Sequence, residues 1–156
     1  NLGIGQGYML ATPLHLSLIA AILASKGKYE LPYLVKRSNS NLNLDLEIEE
    51  LDWVKLNQAL IDVVYSSNGT GYRIEAGELN LAGKSGTAQL VEINSREEYN
   101  EVRKNPDLRD HAIFIGYAPY DDPRYSISVI IENGESGGRI AGPIARDVLQ
   151  ELVNDI

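Results

Sequence analysis

Apolar residues recur at helical spacing in three stretches of the chain and gather into strand-like runs in the stretch between the second and third. Leu14, Leu18 and Ile22, with Ile19 and Leu23 on the adjacent row, predict a helix over 13–26 with a broad apolar face. Thr12 suits its N-cap, and Pro13 sits where a missing N–H costs nothing. Lys26 in the last turn and Gly27 just past the cap close it. Trp53, Leu56, Leu60, Ile61 and Val64 predict a second helix over roughly 52–65, ended by Ser66 to Gly71. Gly142-Pro143 opens a last helix with Ile144, Val148, Leu149 and Leu152 facing inward. Between them, Leu79 to Val91 reads as a strand, and Ala112 to Ala118 as a strand covered on both faces. Tyr125 to Ile131 is a further β-rich run. The turn residues Tyr120-Asp121-Asp122-Pro123-Arg124 make 112–132 an antiparallel hairpin. A glycine-rich turn, Glu132 to Gly138, follows.

Two regions carry weaker patterns. Across 28–50 we expect a short extended piece around Pro32, a turn-rich loop at 38–41, and an edge strand on alternating Leu42, Leu44, Leu46 and Ile48. Glu92 to Asp110 is charged and interrupted by Pro106, and reads as a long mobile connection. The order is helix, loop, helix, three strands, helix: an α+β chain whose antiparallel sheet carries the C-terminal helix on one face.

Composition narrows the function. The 156 residues suffice for one domain or part of one, and 44% hydrophobic with 23% charged residues is ordinary for a globular protein. A net charge of −8 argues against nucleic acid and against an anionic membrane surface. Zero cysteines exclude disulfides, thiolate catalysis and cysteine-rich zinc sites. No signal peptide and no apolar run of about 18 residues is present, and the first residue is not methionine, so we read the chain as a fragment or processed piece. The acidic cluster Glu47, Glu49, Glu50 and Asp52 reads as a solvated helix start, not a metal site. His15 reads as a partly exposed surface residue.

The stretch with chemistry in it is Ala82-Gly83-Lys84-Ser85-Gly86-Thr87-Ala88. A lysine in a mostly apolar strand needs a reason, because an unpaired buried ammonium is costly. Gly83 and Gly86 let something approach the backbone closely. Ser85 and Thr87 place two hydroxyls on one face. The pattern fits a strand edge that receives an anionic, hydrogen-bonding ligand; it also fits an edge strand with one snorkelling lysine.

Neighbouring stretches add specificity. Gly5-Gln6-Gly7-Tyr8-Met9-Leu10-Ala11-Thr12-Pro13-Leu14, Gly83-Lys84-Ser85-Gly86-Thr87-Ala88-Gln89, Asp110-His111-Ala112, Ile115-Gly116-Tyr117-Ala118-Pro119 and Ile131-Glu132-Asn133-Gly134 occur in that order. With them the chain resembles the C-terminal half of the transpeptidase domain of class B penicillin-binding proteins, most like the elongation type. The resemblance covers nearly everything except 28–50 and 92–108. It implies the penicillin-binding protein and serine β-lactamase fold, with three of its five sheet strands here and 1–156 as the C-terminal portion of one domain. It implies acyl transfer: a serine attacks the amide between two D-alanines of a peptidoglycan stem peptide, and a neighbouring amine takes the acyl group. β-Lactams would mimic the D-alanyl-D-alanine end. No metal or cofactor is implied. Lys84 would set the electrostatics near the nucleophile and the substrate carboxylate. The Ser85 and Thr87 hydroxyls would bind that carboxylate, and Gly86 would let the ligand lie against the strand. The backbone N–H of Thr87 would be an oxyanion-hole donor. Ser85 departs from the commoner threonine but keeps the hydroxyl. Gly5 to Tyr8 and His111 also match, as structural or near-site residues.

The family's Ser-x-x-Lys nucleophile and Ser-x-Asn motifs are not convincingly present. Ser25-x-x-Lys28 matches literally but straddles a helix end, whereas the nucleophile motif needs one helical turn to bring the lysine under the serine. Ser66-x-Asn68 reads as a polar turn. No nucleophile is therefore expected within these residues, and the chain alone is expected to be inactive and to self-associate through an unpaired sheet edge. The resemblance places the parent at the periplasmic face of a bacterial inner membrane, anchored by an N-terminal helix. Its partners would be stem peptides, β-lactams, the N-terminal part of the same domain and elongation-machinery proteins. Other readings of the same fold are a non-catalytic β-lactam sensor or interaction domain, and a serine β-lactamase or D,D-carboxypeptidase.

Overall fold

A computed structural model describes residues 10–29, 31–35, 44–93 and 95–155. Pro13–Ala24 forms α1, capped as its sequence asks: Thr12 Oγ1 accepts the N–H of His15, and His15 Nδ1 accepts the N–H of Thr12. The helix stops short of 26. Ser25 is its C-cap, Lys26 takes the left-handed conformation (φ 52°), and the N–H of Gly27 reaches the carbonyl of Ile22. Gly27 is thus the second residue past the cap, in a Schellman closure. Lys28–Tyr29 (β1) and Leu44–Asp45 (β2) pair antiparallel, so among the described residues of the expected edge strand over 42–48 only Leu44 and Asp45 are strand. Leu42 and the turn at 38–41 lie outside the described residues, as do Gly5 to Tyr8. Residues 31–35 contain no strand.

Glu50–Tyr65 forms α2 on the expected stripe, with Trp53, Leu60 and Val64 buried and Leu56 exposed. Two 3-10 turns, Tyr72–Ile74 and Gly77–Leu79, lead to β3, Ala82–Ala88. This strand is shorter than the apolar pattern of 79–91 implies, because Leu79 ends a 3-10 turn and Asn80 is left-handed (φ 55°). The connection at 92–110 is not structureless. Ser95 Oγ accepts the N–H of Glu98 and starts α3, Arg96–Val102, and Pro106–Leu108 forms a 3-10 turn. The Ser-Arg-Glu-Glu run at 95–98 is a capping-box sequence, so this helix start was legible. His111–Ala118 (β4) and Tyr125–Ile131 (β5) form the hairpin, and a π-helical turn, Gly137–Ala141, runs into α4, Gly142–Asn154.

The expected α+β architecture is present. The sheet order is β3-β4-β5, all antiparallel, with Ser85 opposite Phe114 and Phe114 opposite Val129. One face presents Ala112, Phe114 and Ala118 of β4 with Tyr125, Ile127, Val129 and Ile131 of β5, packed on Ala141, Ala145 and Leu149. The other face presents Ala82 and Tyr117, packed on Leu60 and half-buried Leu23 and Ala24. Helix α2 passes the outer edge of β3, with Leu60 in one cluster and Val64 in the other. Burying a side chain as large as Phe114 or Leu149 contributes roughly 1.5–3 kcal/mol.

Two helices bury only part of the face expected: Leu23 and Leu149 pack inward as predicted, but the rest of each inward row is made of smaller residues. In α1 the row toward the sheet is small: Ser17 Oγ lies 3.4 Å from Ser126 Oγ, the carbonyl of Pro13 accepts from Ser128 Oγ at 2.6 Å, and Ala20 is buried. Leu14 on the large row is 60% exposed. In α4 the buried row is Gly142, Ala145 and Leu149, while Ile144, Val148 and Leu152 are exposed. Small side chains let a helix axis approach the strands, and an α1 that is apolar all round offers periodicity no preferred side. Among the described residues, no helix is long and apolar enough to cross a membrane.

Candidate active site

Several of the contacts that position β3 act on its backbone. At its start the carbonyl of Asn80 accepts the N–H of Tyr120 at 2.6 Å, and Asn80 Nδ2 donates to Asp121 Oδ1 at 3.2 Å. The N–H of Leu81 donates to the Tyr65 hydroxyl on α2 at 3.1 Å, and that hydroxyl donates to the Gly77 carbonyl at 3.4 Å. Burial pushes the Tyr65 phenol above its ordinary value, which keeps it protonated for both roles. Gly83 makes room for the Phe114 ring, whose Cζ would stand 2.4 Å from a Cβ there. Its lack of a side chain therefore serves the core, not a ligand as the sequence alone implied.

The free edge of β3 follows from these contacts. In an extended strand the N–H and C=O of alternate residues point the same way. The N–H of Leu81 points away from β4, toward α2. The carbonyl of Ser85 does too, since Lys84 Nζ donates to it at 2.6 Å from an exposed side chain. Leu81, Gly83, Ser85 and Thr87 therefore direct their backbone groups outward, and Lys84 and Gly86 direct theirs at β4. Gly137 agrees: a Cβ on it would lie 2.1 Å from the carbonyl oxygen of Ile113, 2.6 Å from that of Gly86 and 2.9 Å from the Gly86 nitrogen, so the turn sits directly on the Gly86–Ile113 pair.

Lys84, Ser85, Gly86 and Thr87 thus share one edge strand but divide by side-chain face. Ser85 and Thr87 lie on the face of Phe114 and the π-helical turn; Lys84 lies on that of Tyr117. Lys84 and Thr87 are exposed, and Ser85 and Gly86 half-buried. A residue that sequence reasoning passed over joins them. Thr70, in the turn after α2, has its Oγ1 2.7 Å from Ser85 Oγ. Its signal was a hydroxyl flanked by glycines in Asn68-Gly69-Thr70-Gly71, read only as a helix-ending turn.

The two decoy motifs have local roles. Ser25 Oγ lies within hydrogen-bond reach of the carbonyls of Ala21 and Lys28, and no helical turn sets Lys28 beneath it. Ser66 Oγ accepts the N–H of Asn68 at 3.4 Å, a turn contact. His111 Nδ1 accepts the N–H of Asn133 at 3.0 Å, which ties the hairpin end to the next turn. There Arg103 Nε holds Glu135 at 3.0 Å, with Arg109 at 3.7 Å. That hydrogen bond from Arg103 lowers the Glu135 carboxyl below its usual range. In the acidic cluster, Glu50 pairs with Lys26 and Asp52 with Lys55.

Comparison with known proteins extends these observations. Residues 1–150 match the family model of the penicillin-binding protein transpeptidase domain. The chain is 36% identical to the peptidoglycan D,D-transpeptidase MrdA of Haemophilus influenzae over 99% of its own length, and 36% identical to MrdA of Acinetobacter baumannii over 90%. It spans about a quarter of the length of these curated relatives, 25% and 22%. Among solved structures it resembles Pseudomonas aeruginosa PBP2 in complex with WCK 5153, with a TM-score of 0.78 at 34% identity over 96% of this chain and 31% of that one. It also resembles Helicobacter pylori PBP2 in complex with MreC, with a TM-score of 0.76 at 27% identity over 98% of this chain and 26% of that one.

Proposed function

This chain belongs to the penicillin-binding protein transpeptidase family, and from that premise we propose that it supplies the substrate-strand half of a peptidoglycan D,D-transpeptidase site. Residues 1–156 are then the C-terminal portion of one transpeptidase domain. The observation that carries this reading is the outward backbone of Ser85 and Thr87 beside the exposed ammonium of Lys84.

An extended acyl-D-alanyl-D-alanine peptide pairs with that edge as an added strand. The Lys84 ammonium attracts its terminal carboxylate, an attraction useful in a chain whose net charge is −8. The Ser85 and Thr87 hydroxyls donate to the same carboxylate. A serine from elsewhere in the full-length protein attacks the penultimate carbonyl. The oxygen that becomes negative faces the N–H of Thr87, a donor type worth about two to three powers of ten in rate. Collapse of the tetrahedral intermediate expels D-alanine and leaves an acyl-serine, which the amine of a second stem peptide then cleaves. A β-lactam follows the same path, but its leaving amine stays tethered.

On this reading the full-length protein works at the periplasmic face of the inner membrane with elongation-machinery proteins. The H. pylori relative solved with MreC supports the partner assignment. Intact-mass analysis after incubation with benzylpenicillin tests the reading. Full-length protein should take up one equivalent on a serine outside residues 1–156, Lys84→Ala should slow acylation strongly, and the 156-residue chain alone should gain no mass. An adduct on Ser25, or an unchanged rate in Lys84→Ala, would overturn it.

A further inference from the structure

We propose that Thr70 is a positioning residue of this site: its hydroxyl donates to Ser85 Oγ and so fixes the Ser85 hydroxyl as a donor to the ligand's carboxylate. The inference rests on the function proposed above. The two oxygens are 2.7 Å apart, the ordinary length of a good O–H···O hydrogen bond. Each hydroxyl has one proton and can accept as well. A carboxylate only accepts. When Ser85 spends its proton on the carboxylate, the short contact with Thr70 survives only if Thr70 supplies the other proton. With Thr70 in place the pair has a single productive polarity, Thr70 to Ser85 to carboxylate. Without it the Ser85 hydroxyl can rotate to other acceptors, among them water.

Thr70 is held by more than its own hydrogen bond. The N–H of Gly71 donates to the carbonyl of Val63 at 2.9 Å, which anchors the turn to the end of α2. A Cβ on Gly138 would stand 2.0 Å from the Thr70 carbonyl oxygen, so the π-helical turn presses on Thr70 from the other side. The adjacent Gly137 presses in the same way on Gly86. One turn therefore sets both Thr70 and the strand whose serine it orients. The branched Cβ of threonine further restricts χ1, which a serine would leave freer. Thr70 is exposed beside the open edge, so a ligand laid along β3 covers the pair and excludes competing water.

The test uses the full-length protein and measures saturation and rate of acylation by benzylpenicillin and by its carboxyl methyl ester. Thr70→Val keeps the shape and removes the hydroxyl; Thr70→Ser keeps the hydroxyl. Thr70→Val should acylate about fivefold to tenfold more slowly with benzylpenicillin, the range set by one hydrogen bond. The loss should fall mainly on saturation, Thr70→Ser should stay within about twofold, and the methyl ester should show no such difference. In a Ser85→Ala background Thr70→Val should add nothing, because the two act as one unit. Equal loss with acid and ester, additivity with Ser85→Ala, or no loss at all would overturn the inference. Should Thr70→Val melt early, Thr70→Ala in the same assay carries the same expectation. Wild type that is not acylated, or is indifferent to Lys84→Ala, would overturn the functional reading beneath. Normal Lys84-dependent acylation with a neutral Thr70→Val would overturn only the role of Thr70.

Discussion

Gly137→Ala offers a sharp test of how the strand edge is held. The added methyl would stand 2.1 Å from the carbonyl oxygen of Ile113, against about 3.4 Å for ordinary contact, so some 1.3 Å of movement is required. Neither obstacle can rotate away. Ile113 lies in the central strand, and Gly86, at 2.6 and 2.9 Å, is the residue between the two hydroxyls proposed to face the ligand. Overpacking of this kind costs about 1–3 kcal/mol. If β3 yields, Thr87 moves with it, and a misplacement near 1 Å costs about 100-fold in rate. We predict that Gly137→Ala lowers benzylpenicillin acylation of the full-length protein about 100-fold while circular dichroism shows it folded. Gly77→Ala is the control: it has φ +54° and nothing within 4 Å of its Cβ, so it should lose about 1–2 kcal/mol to left-handed strain and keep its acylation rate. A folded Gly137→Ala acylating within threefold of wild type would refute the idea that this turn sets the strand.

Three further outcomes are predicted. Burial raises the Tyr117 phenol to about 12, so its contribution is complete below the ordinary value near 10 and is lost as pH rises from there through 12. Denaturant melts should lose about 2–3 kcal/mol from this group across that window, and Tyr117→Phe, which frees Asn57 Oδ1 to water, should flatten the loss. An equally steep decline in Tyr117→Phe would count against it. Ser95→Ala removes the cap of α3, worth about 1 kcal/mol, and should speed amide hydrogen exchange over 96–102; unchanged exchange would mean the cap is idle. The 156-residue chain alone should self-associate in light scattering through β5, whose outer edge has no strand partner among the described residues; a strictly monomeric chain would reject that.

The parts of the fold legible in sequence were those where one residue type settles the matter. The unbroken apolar run of β4 marks a central strand, and Thr12-Pro13 marks a helix start within one residue. Lys84 to Thr87 stood out as a candidate site because lysine and hydroxyls are out of place in an apolar strand. The orientation of α1 and α4 was not legible. Leu149 and half-buried Leu23 face inward as their hydrophobicity asks, but Ala20, Gly142 and Ala145 take the remaining inward places by being small, while Leu14, Ile144 and Val148 stay at the surface. Hydrophobicity ranks Ile144 and Val148 above Ala145, but distance of approach to the sheet decides between them, and that quantity belongs to the partner strands. The partnership of Thr70 with Ser85, fifteen positions apart in the chain, is of the same kind.

A common principle connects the strand, the turn and the hydroxyl pair. The groups proposed to meet the reacting atoms are mostly backbone groups, the N–H of Thr87 and the outward edge of Ser85, and beyond the Tyr65 hydroxyl at the start of β3 few side-chain hydrogen bonds aim that backbone. Close glycine approaches aim it instead: Gly83 seats β3 on the Phe114 ring, Gly137 bears on Gly86, and Gly138 bears on Thr70. It follows that the identity of the hydroxyl at position 85 matters less than the absence of a methyl at 137, although position 85 is the one proposed to touch the ligand. Ser85→Thr keeps a donor on an unmoved strand, whereas Gly137→Ala keeps every donor and moves the strand. Tolerance in this site should therefore track backbone displacement, not distance from the ligand.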